Sequence, residues 1–207
     1  MVLPILVTLA AGYLLGNLNG AIWVSRMLHD DVRNHGSGNA GLTNFIRSYG
    51  PGWAALVIVI DMGKGVAACL LGGWLFYSQG MFLEGMTLGG LAAMVGHDFP
   101  AFLHFRGGKG ILTGFAIALT IDWRIGALIF AVFALTYLLT TLVSLGSVLA
   151  SITFGVGFVL FHHDNPWVMG GGIAMAVLAV FMHRGNIVRL LKGEEKKTSL
   201  FRKGSDK

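Results

Sequence analysis

Apolar residues fill seven stretches of this chain, at about residues 2–24, 53–77, 81–95, 111–121, 125–143, 145–161 and 167–182, with polar residues gathered between them. Spanning the hydrocarbon of a bilayer takes about 20 apolar residues in a helix. The pattern therefore predicts an all-α integral membrane protein of about seven transmembrane helices. Some are short: the fourth stretch, at about 1.5 Å of rise per residue, reaches only about 17 Å. It either begins earlier, inside the glycine-rich segment before it, or is a partial span shielded by its neighbours. Seven crossings is the expectation, and five with two re-entrant pieces is the rival. The first stretch lacks a basic leader, and Gly16-Asn17-Leu18-Asn19-Gly20 makes a poor cleavage site, so it reads as a helix of the protein, not a signal peptide.

Composition agrees with a membrane chain: only 12% of residues are charged, about half the share usual in soluble domains. No long linker or internal repeat divides it, so residues 1–207 read as a single domain. The lone Cys69 excludes an intramolecular disulfide. Charge placement orients the chain. With the amino terminus outside, 13 of the 15 Lys and Arg residues fall in two loops and a tail on the cytoplasmic side. Arg26, Arg33 and Arg47 lie in the first loop, Arg106 and Lys109 in the second, and Arg184 to Lys207 in the tail; only Lys64 and Arg124 fall elsewhere. The net charge of +5 then suits an anionic membrane surface, and no basic–aromatic pattern argues for nucleic acid.

Three polar stretches carry the candidate chemistry. In the first, Gly36-Ser37-Gly38-Asn39 precedes Thr43, Asn44 and Arg47. Asn39, Thr43 and Arg47 are spaced to share a helical face, and Gly50-Pro51 stops the helix. Ser37 or Asn39 is expected to cap it, leaving backbone N–H groups that suit an anion; the plain alternative is a capped, wet connector. In the second, Gly107-Gly108-Lys109-Gly110 follows His97 and Asp98. Its spacing is not that of a nucleotide-binding loop, but glycines around one lysine can form a phosphate nest. His97 reads either as a structural, hydrogen-bonded histidine or as a catalytic one. In the third, His183 and Asn186 share a face where the last helix continues into the tail, and anchoring by snorkelling arginines is the alternative there. Ser144 and Ser147 fall at an inner turn and alone read as turn or cap residues. Asp61 and Lys64, three apart inside an apolar stretch, are expected to pair and face the interior, because an unpaired charge at the bilayer centre costs about 2.5–3.5 kcal/mol. His162-His163-Asp164 reads as a wet outer turn, and no metal is assigned.

Taken in order, these stretches resemble the bacterial acyl-phosphate:glycerol-3-phosphate acyltransferase family. The resemblance rests on Gly36-Ser37-Gly38-Asn39-Ala40-Gly41-Leu42-Thr43-Asn44 with Arg47; on Gly96-His97, Pro100, Phe102-Leu103 and Phe105-Arg106-Gly107-Gly108-Lys109-Gly110 with Thr113; and on His183, Asn186-Ile187, Arg189-Leu190-Leu191, Gly193 and Glu194. Leu42 stands where the family commonly has Ala, Arg106 where it has Lys, and the 16–20 segment departs from the commoner sequence. The resemblance implies transfer of a fatty acyl group from acyl-phosphate to the 1-hydroxyl of glycerol 3-phosphate, giving lysophosphatidic acid and phosphate, at the cytoplasmic face of a bacterial inner membrane. It implies no cofactor. Its implied partners are the two substrates, membrane lipids and the enzyme that makes acyl-phosphate. Ser37, Lys109, His183 and Asn186 become the catalytic candidates. Gly36, Gly38, Asn39, Thr43, Asn44, Arg47, His97, Gly107, Gly108, Gly110, Ser144 and Ser147 become the substrate-binding ones. No histidine is followed by an aspartate at the spacing of the His–Asp acyltransferases. The proton acceptor stays open among a substrate phosphate, His97 and His183. A transporter for an organic phosphate and a helix-packing assembly protein are the rival readings.

Overall fold

The computed structural model describes residues 1–197, so Arg202, Lys203 and Lys207 of the expected tail lie outside the described residues. The described chain forms α1 (Val2–Gly16), α2 (Gly20–Met27), α3 (Leu42–Tyr49), α4 (Ala54–Phe76), α5 (Phe82–Asp98), α6 (Ile111–Ile121), α7 (Trp123–Thr140), α8 (Val143–Phe161), α9 (Pro166–Met182) and α10 (Arg184–Leu191). Caps explain several boundaries. Asp122 accepts from the Arg124 N–H at 2.9 Å and starts α7, and Asn165 accepts from the Val168 N–H at 3.2 Å, just ahead of Pro166, to start α9.

The long helices traverse one bundle in alternating directions. Gly72 of α4 meets the Gly85 backbone of α5, while further along Ala68 meets Gly89, so the two are antiparallel. Gly12 of α1 faces Gly89 and Gly16 faces Gly96, so α1 runs parallel to α5. A Cβ at Gly72 or Gly16 would collide with the opposing backbone, and such small residues let helices pack closely where the hydrophobic effect cannot drive them together. The outer faces stay apolar, with Trp74, Leu138 and Leu139 at least 70% exposed. At one end of the bundle Glu84 accepts from the Asn165 side chain at 2.9 Å, and His162 lies 3.3 Å from Asp122. At the other end lie the glycine-rich loops.

Three expectations need correction. The first stretch is not one helix: it breaks at 17–19 and bends by 42° into α2, because Asn19 caps a new helix with its side-chain oxygen 3.0 Å from the Ile22 N–H. The last helix does not run straight on, but turns by 56° at His183. Neither Ser37 nor Asn39 caps α3, whose cap position is Gly41 and carries no side-chain bond. Three helical segments, 54–79, 123–140 and 143–161, are each long and apolar enough to cross a membrane, and counting each bent pair as one span raises the number to five.

Candidate active site

Seven helices, α3, α4, α5, α6, α7, α8 and α10, and the segments before α3, before α6 and after α10 converge on a cleft of about 540 Å³. Its polar wall carries Ser37, Asn39, Thr43, Asn44, Arg47, His97, Lys109, Ser144, Ser147, His183 and Asn186. The apolar wall is built from Leu42, Ile46, Leu112, Phe115, Ile129, Phe130, Phe133 and Val143. Residues far apart in sequence thus share one cavity, polar on one side and greasy on the other. Gly36, Gly38, Gly107 and Gly108 do not line it; they shape the backbone behind it.

Asn44 organises the first loop. Its Oδ1 accepts from the Ser37 N–H at 2.9 Å, and its Nδ2 donates to the carbonyls of Val32, His35 and Asn39 at 3.0 Å each. With 2% exposure, its amide is tied into the loop and holds Ser37 in place, while the residue also borders the cleft. Arg33 ties this loop to the second: it is bidentate on Asp31 and donates to the Leu103 carbonyl at 3.0 Å. The guanidinium keeps the Asp31 carboxyl below the usual range.

The second loop is folded against the end of α5. The Gly108 N–H donates to the His97 carbonyl at 3.1 Å. A Cβ at Gly108 would strike the His97 ring and the Ala40 carbonyl, so only glycine fits there. Gly110, at φ +68°, adopts the left-handed conformation that turns the chain into α6. Lys109 between them donates to Asn186 Oδ1 on α10. Burial pushes its ammonium down to about 8; Arg189 acts in the same direction, Glu195 opposes, and Arg184 adds a smaller push downward. The third stretch meets it through Glu195, which accepts from Arg189 Nε at 2.8 Å and Asn186 Nδ2 at 3.3 Å. The motif carboxylate that reaches the site is therefore Glu195, not its neighbour Glu194. The Gly-x-Glu spacing after Leu190-Leu191 carries the signal, since one residue separates Gly193 from Glu195.

The histidines sit in opposite hydrogen-bonding settings. His183 Nδ1 lies 2.8 Å from the Ala179 carbonyl, which only accepts, so Nδ1 carries the proton and Nε2 keeps a lone pair. His97 Nδ1 lies 2.6 Å from Lys64 Nζ. Lys64 and Asp61 pair at 2.9 Å, as their spacing predicted, and both are nearly fully buried. Lys64 also donates to the Leu18 carbonyl at 2.7 Å and the Gly16 carbonyl at 3.2 Å, and Asp61 accepts from the Gly20 N–H at 3.0 Å. The divergent 16–20 segment, which sequence reasoning left without a role, thus anchors the ion pair, while Asn19 holds the Ala40 carbonyl at 3.1 Å. Ser144 and Ser147, in the first and second turns of α8, do not cap it: they line the cleft, and Ser144 Oγ has no partner among the described residues.

Helices with greasy outer faces, enclosing a cleft that joins cationic and hydroxyl donors to an apolar trough, define an integral membrane protein with an amphiphilic cleft. The glycerol-3-phosphate acyltransferase family model matches residues 6–193. A glycerol-3-phosphate acyltransferase of Thermoanaerobacter sp. (strain X514) is 39% identical over 191 residues, covering 92% of this chain and 93% of its own length. Glycerol-3-phosphate acyltransferase 1 of Deinococcus radiodurans is 38% identical, covering 95% and 97%. Among solved structures, the integral membrane glycerol 3-phosphate acyltransferase PlsY in its glycerol 3-phosphate form superposes with a TM-score of 0.84 at 30% identity, covering 96% of this chain and 99% of that one. A lysophosphatidic acid form of PlsY superposes at 0.80 and 28% identity, covering 95% and 96%. The chain belongs to the glycerol-3-phosphate acyltransferase family, as an integral membrane acyltransferase with a role in phospholipid synthesis.

Proposed function

We propose that this enzyme takes its acyl group from acyl-phosphate and delivers it to the 1-hydroxyl of sn-glycerol 3-phosphate. The observation that carries this reading is the two-sided cleft: Lys109, Arg47 and Ser37 bound the same space as Phe115, Phe130 and Phe133. Cations and hydroxyls suit phosphate groups, and the aromatic trough suits an acyl chain whose burial stabilises binding by about 0.8 kcal/mol per CH₂. The related structures are described with glycerol 3-phosphate and with lysophosphatidic acid, and both molecules have this combined chemistry.

An activated donor relieves the protein of making a nucleophile. In this mechanism the glycerol hydroxyl oxygen attacks the acyl carbonyl carbon, the bond from that carbon to the phosphate oxygen breaks, and inorganic phosphate leaves. Lys109, Arg47 and Ser37 hold the phosphates and the charge that develops on the carbonyl oxygen. His183 and Asn186 orient the glycerol hydroxyls. A substrate phosphate oxygen takes the hydroxyl proton, with the free Nε2 of His183 as the protein alternative. We do not invoke an acyl-Ser37 intermediate: the bond to Asn44 is made by the Ser37 backbone N–H, and no bond from its hydroxyl to a base is seen among the described residues. We assign α1, α4, α5, α6, α7, α8 and α9 to seven membrane crossings, with the amino terminus outside and the cleft at the cytoplasmic face of the inner membrane. The enzyme that makes acyl-phosphate is the natural supplier of the donor.

The donor assignment is tested by offering purified protein labelled glycerol 3-phosphate with palmitoyl-phosphate, palmitoyl-CoA or a palmitoyl carrier protein. Lysophosphatidic acid from the phosphate alone is expected. Comparable rates from the thioesters would reject it.

A further inference from the structure

We infer that His97 is a hydrogen-bond donor to a phosphoryl oxygen of bound substrate, held in that role by the buried Asp61–Lys64 pair, which acts as a positioning device. The inference rests on the cleft being the phosphate site proposed above, and it adds residues that the reaction scheme does not use.

The geometry fixes the tautomer. An ammonium has donors and no acceptor, so Lys64 Nζ, 2.6 Å from His97 Nδ1, makes that nitrogen the acceptor. The other partners of Lys64 are the Asp61 carboxylate at 2.9 Å and two main-chain carbonyls, and these too only accept. That environment keeps Lys64 as the donor. A neutral ring whose Nδ1 accepts carries its proton on Nε2. The Nε2 edge abuts Gly108, and His97 lines the cleft beside Lys109. No hydrogen bond among the described residues uses Nε2. An N–H there, next to the glycine–lysine loop, is set to meet an anionic oxygen, and a nitrogen that already bears a proton cannot take one from the acceptor hydroxyl.

The charged groups around the ring reinforce this arrangement. Lys64 and Asp61 approach from α4, Asp61 Oδ1 being 3.7 Å from Nδ1, and Asp98 follows His97 at the end of α5 with both carboxylate oxygens buried and without a described partner. Making Lys64 the nearest charge disfavours a second positive charge on the imidazole. The pair also spans the fold, tying the carbonyls released at the α1–α2 break to the end of α5. Lys64 does not line the cleft and Asp61 only borders it beside His97, so the pair acts chiefly through the ring.

The test reads the ring directly. Imidazole-¹⁵N-labelled protein in detergent is followed by NMR, with His97 assigned as the signal absent from His97→Gln. A protonated Nε2 and an unprotonated Nδ1, unchanged between about pH 5 and 8, are expected, with the Nε2 signal shifting when inorganic phosphate or glycerol 3-phosphate is added. A protonated Nδ1, or titration to imidazolium in that window, overturns the inference, as does an Nε2 signal indifferent to both ligands. This readout needs no acyl donor, so its failure is separable from failure of the donor assignment. Kinetics supply a second arm. Glutamine can present an N–H near the ε position and asparagine only near the δ position. Folded His97→Gln should stay within about tenfold of wild type in kcat/KM, and folded His97→Asn should fall by about a hundredfold, the loss expected for one donor to developing charge. Equal losses in the two folded variants would contradict the donor role.

Discussion

Lys109 is the residue on which most of the electrostatics converges. Its ammonium, pushed down to about 8, is charged below that value and loses its charge above it. If the charge binds phosphate, kcat/KM falls as pH rises through about 8. Arg189→Gln removes a positive neighbour and releases Glu195 from its 2.8 Å bond, so it should move that alkaline limb to higher pH; an unmoved limb in a folded variant would assign it to another group. Lys109→Ala should abolish turnover, and Lys109→Arg should rescue poorly, because a planar fork does not replace a compact ammonium in a glycine nest. His183 tests the proton. With Nδ1 bound to the Ala179 carbonyl, its Nε2 has a lone pair that no bond among the described residues uses, yet with a substrate phosphate as base, His183→Gln retains activity with a raised KM for glycerol 3-phosphate. General-base loss costs about 10²- to 10⁴-fold. A loss of that size at saturating substrate, together with loss of the acid limb of the pH profile, would make His183 the base.

The loops are the elements that turn scattered residues into a site. Gly108→Ala drives a methyl group into the His97 ring and the Ala40 carbonyl. Overpacking of this kind costs about 1–3 kcal/mol, and here the strain falls on the loop that aims Lys109. We expect kcat/KM to drop by about a hundredfold while the protein still elutes as a folded species; activity near wild type would mean the loop does not position the lysine. The apolar stretches were legible because lipid imposes one requirement on every helix: α6 spans 111–121, as its sequence pattern indicated. The three polar stretches were legible as a group because glycines, cations and amides have little other reason to interrupt such a chain. What escaped was directional. Whether Asn44 faces ligand or loop and whether α1 runs on or breaks at 17–19 depend on hydrogen bonds formed across the fold, and these leave no periodicity to read. The supporting place of Asp61 and Lys64 was visible only as a pair; its connection to His97, 33 residues from Lys64, needed the packing of α4 on α5.

At the scale of the molecule, the cleft lies at the end of the bundle opposite Glu84 and Asn165, and the basic residues gather on the cleft side. In a Cys69→Ala background, single cysteines replacing Glu84 and Asp164 should react with an impermeant thiol reagent added outside sealed cells, whereas Arg202→Cys should not. External labelling of Arg202→Cys would invert the topology. The account as a whole joins two phosphates and one acyl chain in a single cavity, and its most direct test is stoichiometric. Purified wild-type protein given acyl-phosphate and labelled glycerol 3-phosphate should release one inorganic phosphate for each lysophosphatidic acid formed, with folded Lys109→Ala producing neither. Lysophosphatidic acid formed without matching phosphate release, or formed at a near-normal rate by the folded Lys109→Ala variant, would contradict it.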